Sequence, residues 1–207
     1  ESARVRVVHD RVRGTWTPPA GPGVAAGPAR AVPYAAGDPD LLRWVHVAFT
    51  DSFLTTHLTW GGPIPGGPDA YVRDWARSAR LLGLSDPPLT RAELAEQLAS
   101  YDGVLAGGAD ARRVAQFVLS PPLPKPALPA YAVLASGAIA TLDPRHRTAL
   151  GLPRVPRAPA TLAVSGRLSS MRLALGTRSP SERAARDRLE RIEHVPGTPG
   201  VAVRLDR

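Results

Sequence analysis

The strongest helix-start signals in this chain are capping acceptors ahead of a helical run, placed directly before a proline or three residues before a glutamate: Asp38-Pro39, Thr90 with Glu93, Asp143-Pro144, and Ser179-Pro180-Ser181-Glu182. Each signal marks where a helix begins. The side-chain oxygen accepts from a free backbone N–H of the first turn, and proline has no N–H to leave unsatisfied there. Between these starts the apolar residues recur with helical spacing, and Gly or Pro closes each run. Helices are therefore predicted over Ser2 to Arg13 with Gly14 as the stop, Asp38 to Trp60, and Pro68 to Leu82 closed by Gly83. Further helices are predicted from Thr90 to Tyr101, from Asp110 to Leu119, from Pro129 to Leu142 and from Asp143 to Leu150. Ala160 to Leu175 and Ser179 to Ile192 complete the set. The helix after Asp38 is apolar almost all round, with Arg43 and Asp51 its charged residues beyond the first turn, and is read as the central buried helix. Thr15 to Pro33 is predicted as a long loop and Ser120 to Pro129, with its five prolines, as an extended connector. Nothing reads as a sheet and no fixed-period repeat appears.

Length and charge narrow the classes further. At 207 residues and 43% apolar, the chain is long enough for one domain with a sizeable core. The net charge of +8 comes almost wholly from arginine, since Lys125 is the sole lysine. The arginines are dispersed rather than massed on one element, which argues against nucleic acid as the partner. A basic face for an acidic redox partner stays open. The absence of cysteine excludes disulfides, thiolate catalysis, iron–sulfur ligation and cysteine-bound zinc. No run approaches the roughly 18 apolar residues of a membrane span, and no signal-peptide pattern is visible, so the expectation is a cytoplasmic chain. Glu1 is not Met and the opening already reads as mid-helix, so the chain is read as a fragment.

Five histidines are the metal candidates: His9, His46, His57, His146 and His194. No HExxH pair, acidic calcium loop, phosphate loop or GxSxG is present. His9 shares a helical face with Val5, Val8 and Val12, where a neutral imidazole could serve as an axial iron ligand. Arg13, four residues on, is placed to meet an anionic group. A histidine in such a place is more often a satisfied core residue than a ligand. His46, on a stripe with Leu42, Phe49 and Phe53, has the same two readings. Asp51 is expected to pair with Arg73 or Arg80. His57 reads as a helix-end residue, His146 as surface, and His194 carries no signal. Trp16, Trp44, Trp60 and Trp75 are read as core before they are read as a cofactor wall.

Three blocks in order resemble one family. Pro33-Tyr34, Gly37-Asp38-Pro39, Leu41-Leu42-Arg43-Trp44-Val45-His46 and Thr50-Asp51-Ser52 match a pattern close to PYxAxDPxLLxWVHxxLxDS. The opening Val5-Arg6-Val7-Val8-His9-Asp10-Arg11-Val12-Arg13-Gly14 is similar to VRxxHxxVRG. Tyr71-Val72 with Ala79-Arg80-Leu81-Leu82-Gly83-Leu84 resembles YxxExxRxxRLLGV, without a secure match for its glutamate, which Asp74 replaces at best. A weaker likeness joins Leu142-Asp143-Pro144, Arg147 and Gly151-Leu152 to LPxxLRxxLGL. The family is that of MpaB and the rubber-cleaving latex clearing protein, haem-dependent oxygenases.

The resemblance implies an all-α, globin-like helical bundle, a single domain truncated at its N-terminus, over residues 1–177 with a C-terminal helix and tail over 178–207. It implies haem b, with His9 as the iron ligand, Arg13 as a catalytic and cofactor-binding residue and Arg147 as a further cofactor contact. Dioxygen and a hydrophobic small-molecule substrate follow as partners, alongside a redox partner, with no nucleic acid. The distal part of the family's haem site is expected to lie before Glu1. The competing reading is a non-catalytic helical binding or scaffold module of the same fold that has lost haem.

Overall fold

The computed structural model of the chain describes residues 2–17, 31–176 and 180–193. The order is α1 (Ser2–Arg11), β1 (Arg13–Trp16), β2 (Val32–Ala35), α2 (Pro39–Trp60), α3 (Gly67–Leu82), α4 (Arg91–Ala99) and α5 (Ala109–Leu119). A single 3-10 turn at Lys125–Ala127 leads into α6 (Leu128–Thr141), followed by α7 (Pro144–Ala149), α8 (Arg157–Leu175) and α9 (Pro180–Glu193). The fold is all-α, as predicted. The chain forms two compact units, residues 1–161 and 162–207. His194 and Ser179 lie outside the described residues.

The helix starts form as their chemistry dictates. Asp38 accepts from the Asp40 N–H at 2.9 Å ahead of Pro39. Asp143 accepts from the Arg145 N–H at 2.7 Å ahead of Pro144. The Thr90 hydroxyl accepts from the Glu93 N–H at 3.1 Å, while the Glu93 carboxylate accepts from the Leu89 N–H at 2.8 Å. Asp110 sits in the first turn of α5 instead of capping it; Gly108 holds the cap position without a side-chain bond. Gly83 ends α3 at φ 103°, a left-handed conformation that L side chains resist, and its N–H returns to Ala79 and Arg80.

α2 packs against α3 and α4, and α1 against α3. The core of this first unit is Val47, Leu54, Val72 and Leu94, walled by Trp44, Ile64, Tyr71, Leu98 and Tyr101. Arg43 binds the core's edge together. It donates to Asp40 at 2.9 Å and to both oxygens of Asp86 at 2.9 and 3.0 Å, which holds the Asp86 carboxyl below its ordinary range.

Two expectations are corrected. Gly14 is not a helix stop: α1 ends at Arg11, and Arg13–Trp16 pairs antiparallel with Val32–Ala35, Gly14 opposite Tyr34. α2 is not buried all round either. His46, Val47, Thr50 and Leu54 are buried, but Phe49 and Phe53, along the stripe that carries His46, keep about half their surface exposed, at 53% and 48%. Helical spacing reports which side chains share a face, not whether a partner covers it.

Candidate functional site

Along α1 the sequence places valines and a histidine on one face, and packing separates them. From residue 3 to residue 11 every side chain is exposed except that of His9, which is half-buried. Val5, Val7 and Val8 remain exposed. His9 lines a cavity of about 160 Å³ with Arg6, Asp10, Gly37, Pro39, Leu42, Leu82 and Gly83. Its Nδ1 is buried with no hydrogen-bond partner. The elements that bring these groups together are α1, the Gly37 turn, the start of α2 and the end of α3. Asp10, Leu82 and Gly37 escaped a residue-by-residue reading because their meeting depends on helix crossing.

Neither Arg13 nor Arg147 lines that cavity. Arg13 opens β1 and is exposed, so it does not continue the His9 helix by a turn. Arg147 is half-buried on α7. Among the described residues no three His, Asp or Glu side chains converge to hold a metal by themselves.

The other histidines divide by environment. His46 is only 8% exposed, its Nε2 has no partner, and burial lowers its pKa below the ordinary 6.5. His57 lies in the last turn of α2, with its Nε2 buried and unpartnered and its ring beside Tyr71. His146 is half-buried on the wall of a second, larger cavity, not a surface residue. Of the tryptophans, Trp44 packs on the core beside Tyr101, and Trp75 stacks on Phe53 at 5.3 Å between ring centres. Trp60 donates to the Thr161 carbonyl at 3.2 Å, and Trp16 is exposed.

The second cavity holds about 420 Å³ between the middle of α2, α4 and the turn joining α6 to α7. Asp51 lines it and pairs with neither Arg73 nor Arg80. Arg91 and His146 are the charges that act on Asp51, and the protein crowding its carboxyl raises its pKa despite an open face to solvent. The expected pairing fails because Asp51 faces the α4–α6 side of the helix, away from the arginines of α3.

A helical chain whose first unit presents an unpartnered imidazole above an apolar core matches, over residues 1–173, the family of ER-bound oxygenase mpaB/B' and rubber oxygenase catalytic domains. The match covers most of the chain, and the chain belongs to this family. No curated protein and no solved structure matches it. No described helix is long and apolar enough to cross a membrane.

Proposed function

We propose that the protein is a haem b-dependent oxygenase that uses dioxygen on a hydrophobic organic substrate, with His9 as the axial iron ligand. Membership of an oxygenase family supports the class of reaction. The observation that carries the assignment to His9 is its place: the one side chain of residues 3–11 drawn toward the protein interior is an imidazole, and its Nδ1 has no hydrogen-bond partner. A buried nitrogen left unsatisfied costs about 1–3 kcal/mol, which coordination or a bound group offsets. His46 and His57 also carry unpartnered nitrogens, so this alone does not single out His9. The match of His9 to the histidine of the VRxxHxxVRG block does.

The donor chemistry fits haem: an imidazole suits iron, and Val5 and Val8 offer apolar surface beside it. The cavity at His9, about 160 Å³, lies below the roughly 300–1,000 Å³ of enclosed small-molecule sites. The described residues thus supply a ligand and an apolar wall rather than a closed pocket. When bound, haem would supply oxygen activation. This chain's residues would orient the imidazole through Leu42 and Leu82 and exclude water from its buried edge. In this reading Arg13 and Arg147 offer guanidinium groups to the haem carboxylates, and a redox partner supplies electrons.

The small cavity favours one other reading, a helical binding module of the same family without haem. One experiment separates the two. The protein expressed with haem available is expected to show a Soret band, and His9→Ala to abolish it while leaving the far-UV spectrum unchanged. A protein that stays colourless after reconstitution overturns the haem reading. So does a His9→Ala variant with an unaltered Soret band.

A further inference from the structure

The 420 Å³ cavity is built from residues the oxygenase reading does not use, and it stands in the size range of small-molecule sites. Its floor is apolar and small-featured: Ala95, Leu98 and Ala99 from α4, Ala138 and Leu142 from α6 and its end. Its polar lining is biased toward acceptors. Ser52 donates its hydroxyl hydrogen to the Ala48 carbonyl at 2.7 Å, Thr56 to Ser52 at 2.8 Å, and Thr141 to Gly137 at 3.1 Å. These three hydroxyl hydrogens are committed to their own helix, so Ser52, Thr56 and Thr141 offer a ligand oxygen lone pairs, and Thr55 is the remaining hydroxyl of the lining.

The charged lining points the same way. Arg145 donates to both Asp143, at 3.2 Å, and Asp102, so its guanidinium is engaged by two carboxylates. Asp51 makes no hydrogen bond and no ion pair with any described residue; Arg91 and His146 act on it only at Coulombic range. A chain of net charge +8 thus has here a recess where carboxylates outnumber guanidinium groups. An anion entering it would meet three carboxylates and the lone pairs of three hydroxyls, with His146 and the already engaged Arg145 as the basic lining. A neutral donor would satisfy some of those lone pairs, and a cationic donor would satisfy both charge and lone pairs.

We propose that this cavity binds a small organic ammonium ion with an apolar body, the cation pairing with Asp51 while the body lies on the alanine and leucine floor. The proposal is independent of haem and of His9.

The test uses the intact chain at pH 7.5 and three probes of one shape: benzylammonium, benzyl alcohol and benzoate. Binding is read from amide shifts at Ser52, Thr55 and His146. Benzylammonium is expected to bind, benzyl alcohol about tenfold more weakly, and benzoate not at all. This follows from a charge-assisted hydrogen bond being roughly twice as strong as a neutral one. Asp51→Asn is expected to reduce benzylammonium to the level of the alcohol. Ala95→Leu, which fills the floor without touching the charge, is expected to weaken both probes. His9→Ala is expected to change none of this, which separates the site from the haem reading. Benzoate binding as well as benzylammonium would overturn the proposal. So would an Asp51→Asn variant that keeps full affinity, or no response to benzylammonium at millimolar concentration.

Discussion

Leu94 is the position where the fold can be tested most sharply. It is 1% exposed, projects from α4, and packs with Val47 and Leu54 of α2 and Val72 of α3. Leu94→Ala removes three carbons, and burial is worth about 0.8 kcal/mol for each methylene, so the transfer loss alone is about 2.4 kcal/mol. The space left adds to it, and measured Leu→Ala costs in cores run from about 2.7 to 5 kcal/mol. Relaxation is available here: the half-buried Trp44, Leu98 and Tyr101 can move inward, which places the expected cost near the low end, about 3 kcal/mol. In a urea melt followed by circular dichroism, a slope of about 2 kcal/mol per molar turns that into a midpoint lowered by about 1.5 M. Leu81→Ala is the control. Leu81 is exposed on α3, and its loss should stay within about 0.5 kcal/mol. A Leu94→Ala cost below about 1 kcal/mol would mean that α4 is not seated on α2, and the cavity proposed for an ammonium ion would lose its floor with it.

Two further outcomes follow from named groups. Burial lowers the folded-state pKa of His46 below 6.5, so the unfolded chain binds the extra proton first. Stability is expected to fall as pH drops from about 6.5 through that lowered value. The His46 ring signals in a proton NMR titration should accordingly titrate with a midpoint below 6.5; a midpoint at or above 6.5 would contradict the burial. Thr90→Ala removes the acceptor of the Glu93 N–H and should cost about 1 kcal/mol in the same urea melt. Thr90→Ser keeps the acceptor and should cost far less, and equal losses for the two would show that the cap does not hold α4.

Helix starts were legible because their cause is local. Asp38, Thr90 and Asp143 each bond to an N–H two or three residues away, so a short stretch of sequence contains the whole interaction. The hairpin was not, since its partners are about twenty residues apart and each strand is only four residues long. Its signal was present in the alternating β-branched and aromatic residues around Thr15-Trp16 and Val32-Tyr34, but Gly14 reads equally well as a helix stop. The structure gives that glycine another reason: a Cβ there would lie 2.8 Å from the Tyr34 ring, so the tyrosine can fold across its partner strand only over glycine. Asp51 illustrates the other limit. Its helix was correctly located, yet its neighbours Arg91 and His146 come from α4 and α7, and no periodicity within α2 could choose them over Arg73. The histidine block was legible only through resemblance, because spacing alone gave His9 and His46 the same two readings.

α1 joins the fold to the proposed chemistry in a way that energetics can expose. An amphipathic helix ordinarily gains its place by burying its apolar stripe. Here Val5 and Val8 stay exposed, and the helix meets α3 through the side that carries His9. It therefore lacks most of the hydrophobic stabilisation its sequence could provide, and it retains an unsatisfied imidazole nitrogen besides. A single apolar, imidazole-binding group reaching both His9 and the exposed valines would remove both deficits. A ligand that binds only the folded form stabilises it by about 2.7 kcal/mol at a hundred times its Kd. If haem is that ligand, hydrogen exchange should slow first in α1 and at the end of α3, where Leu82 adjoins His9, and far less in α4. Protection spread evenly over α1 and α4, or the same protection in His9→Ala, would show that haem acts elsewhere on the chain.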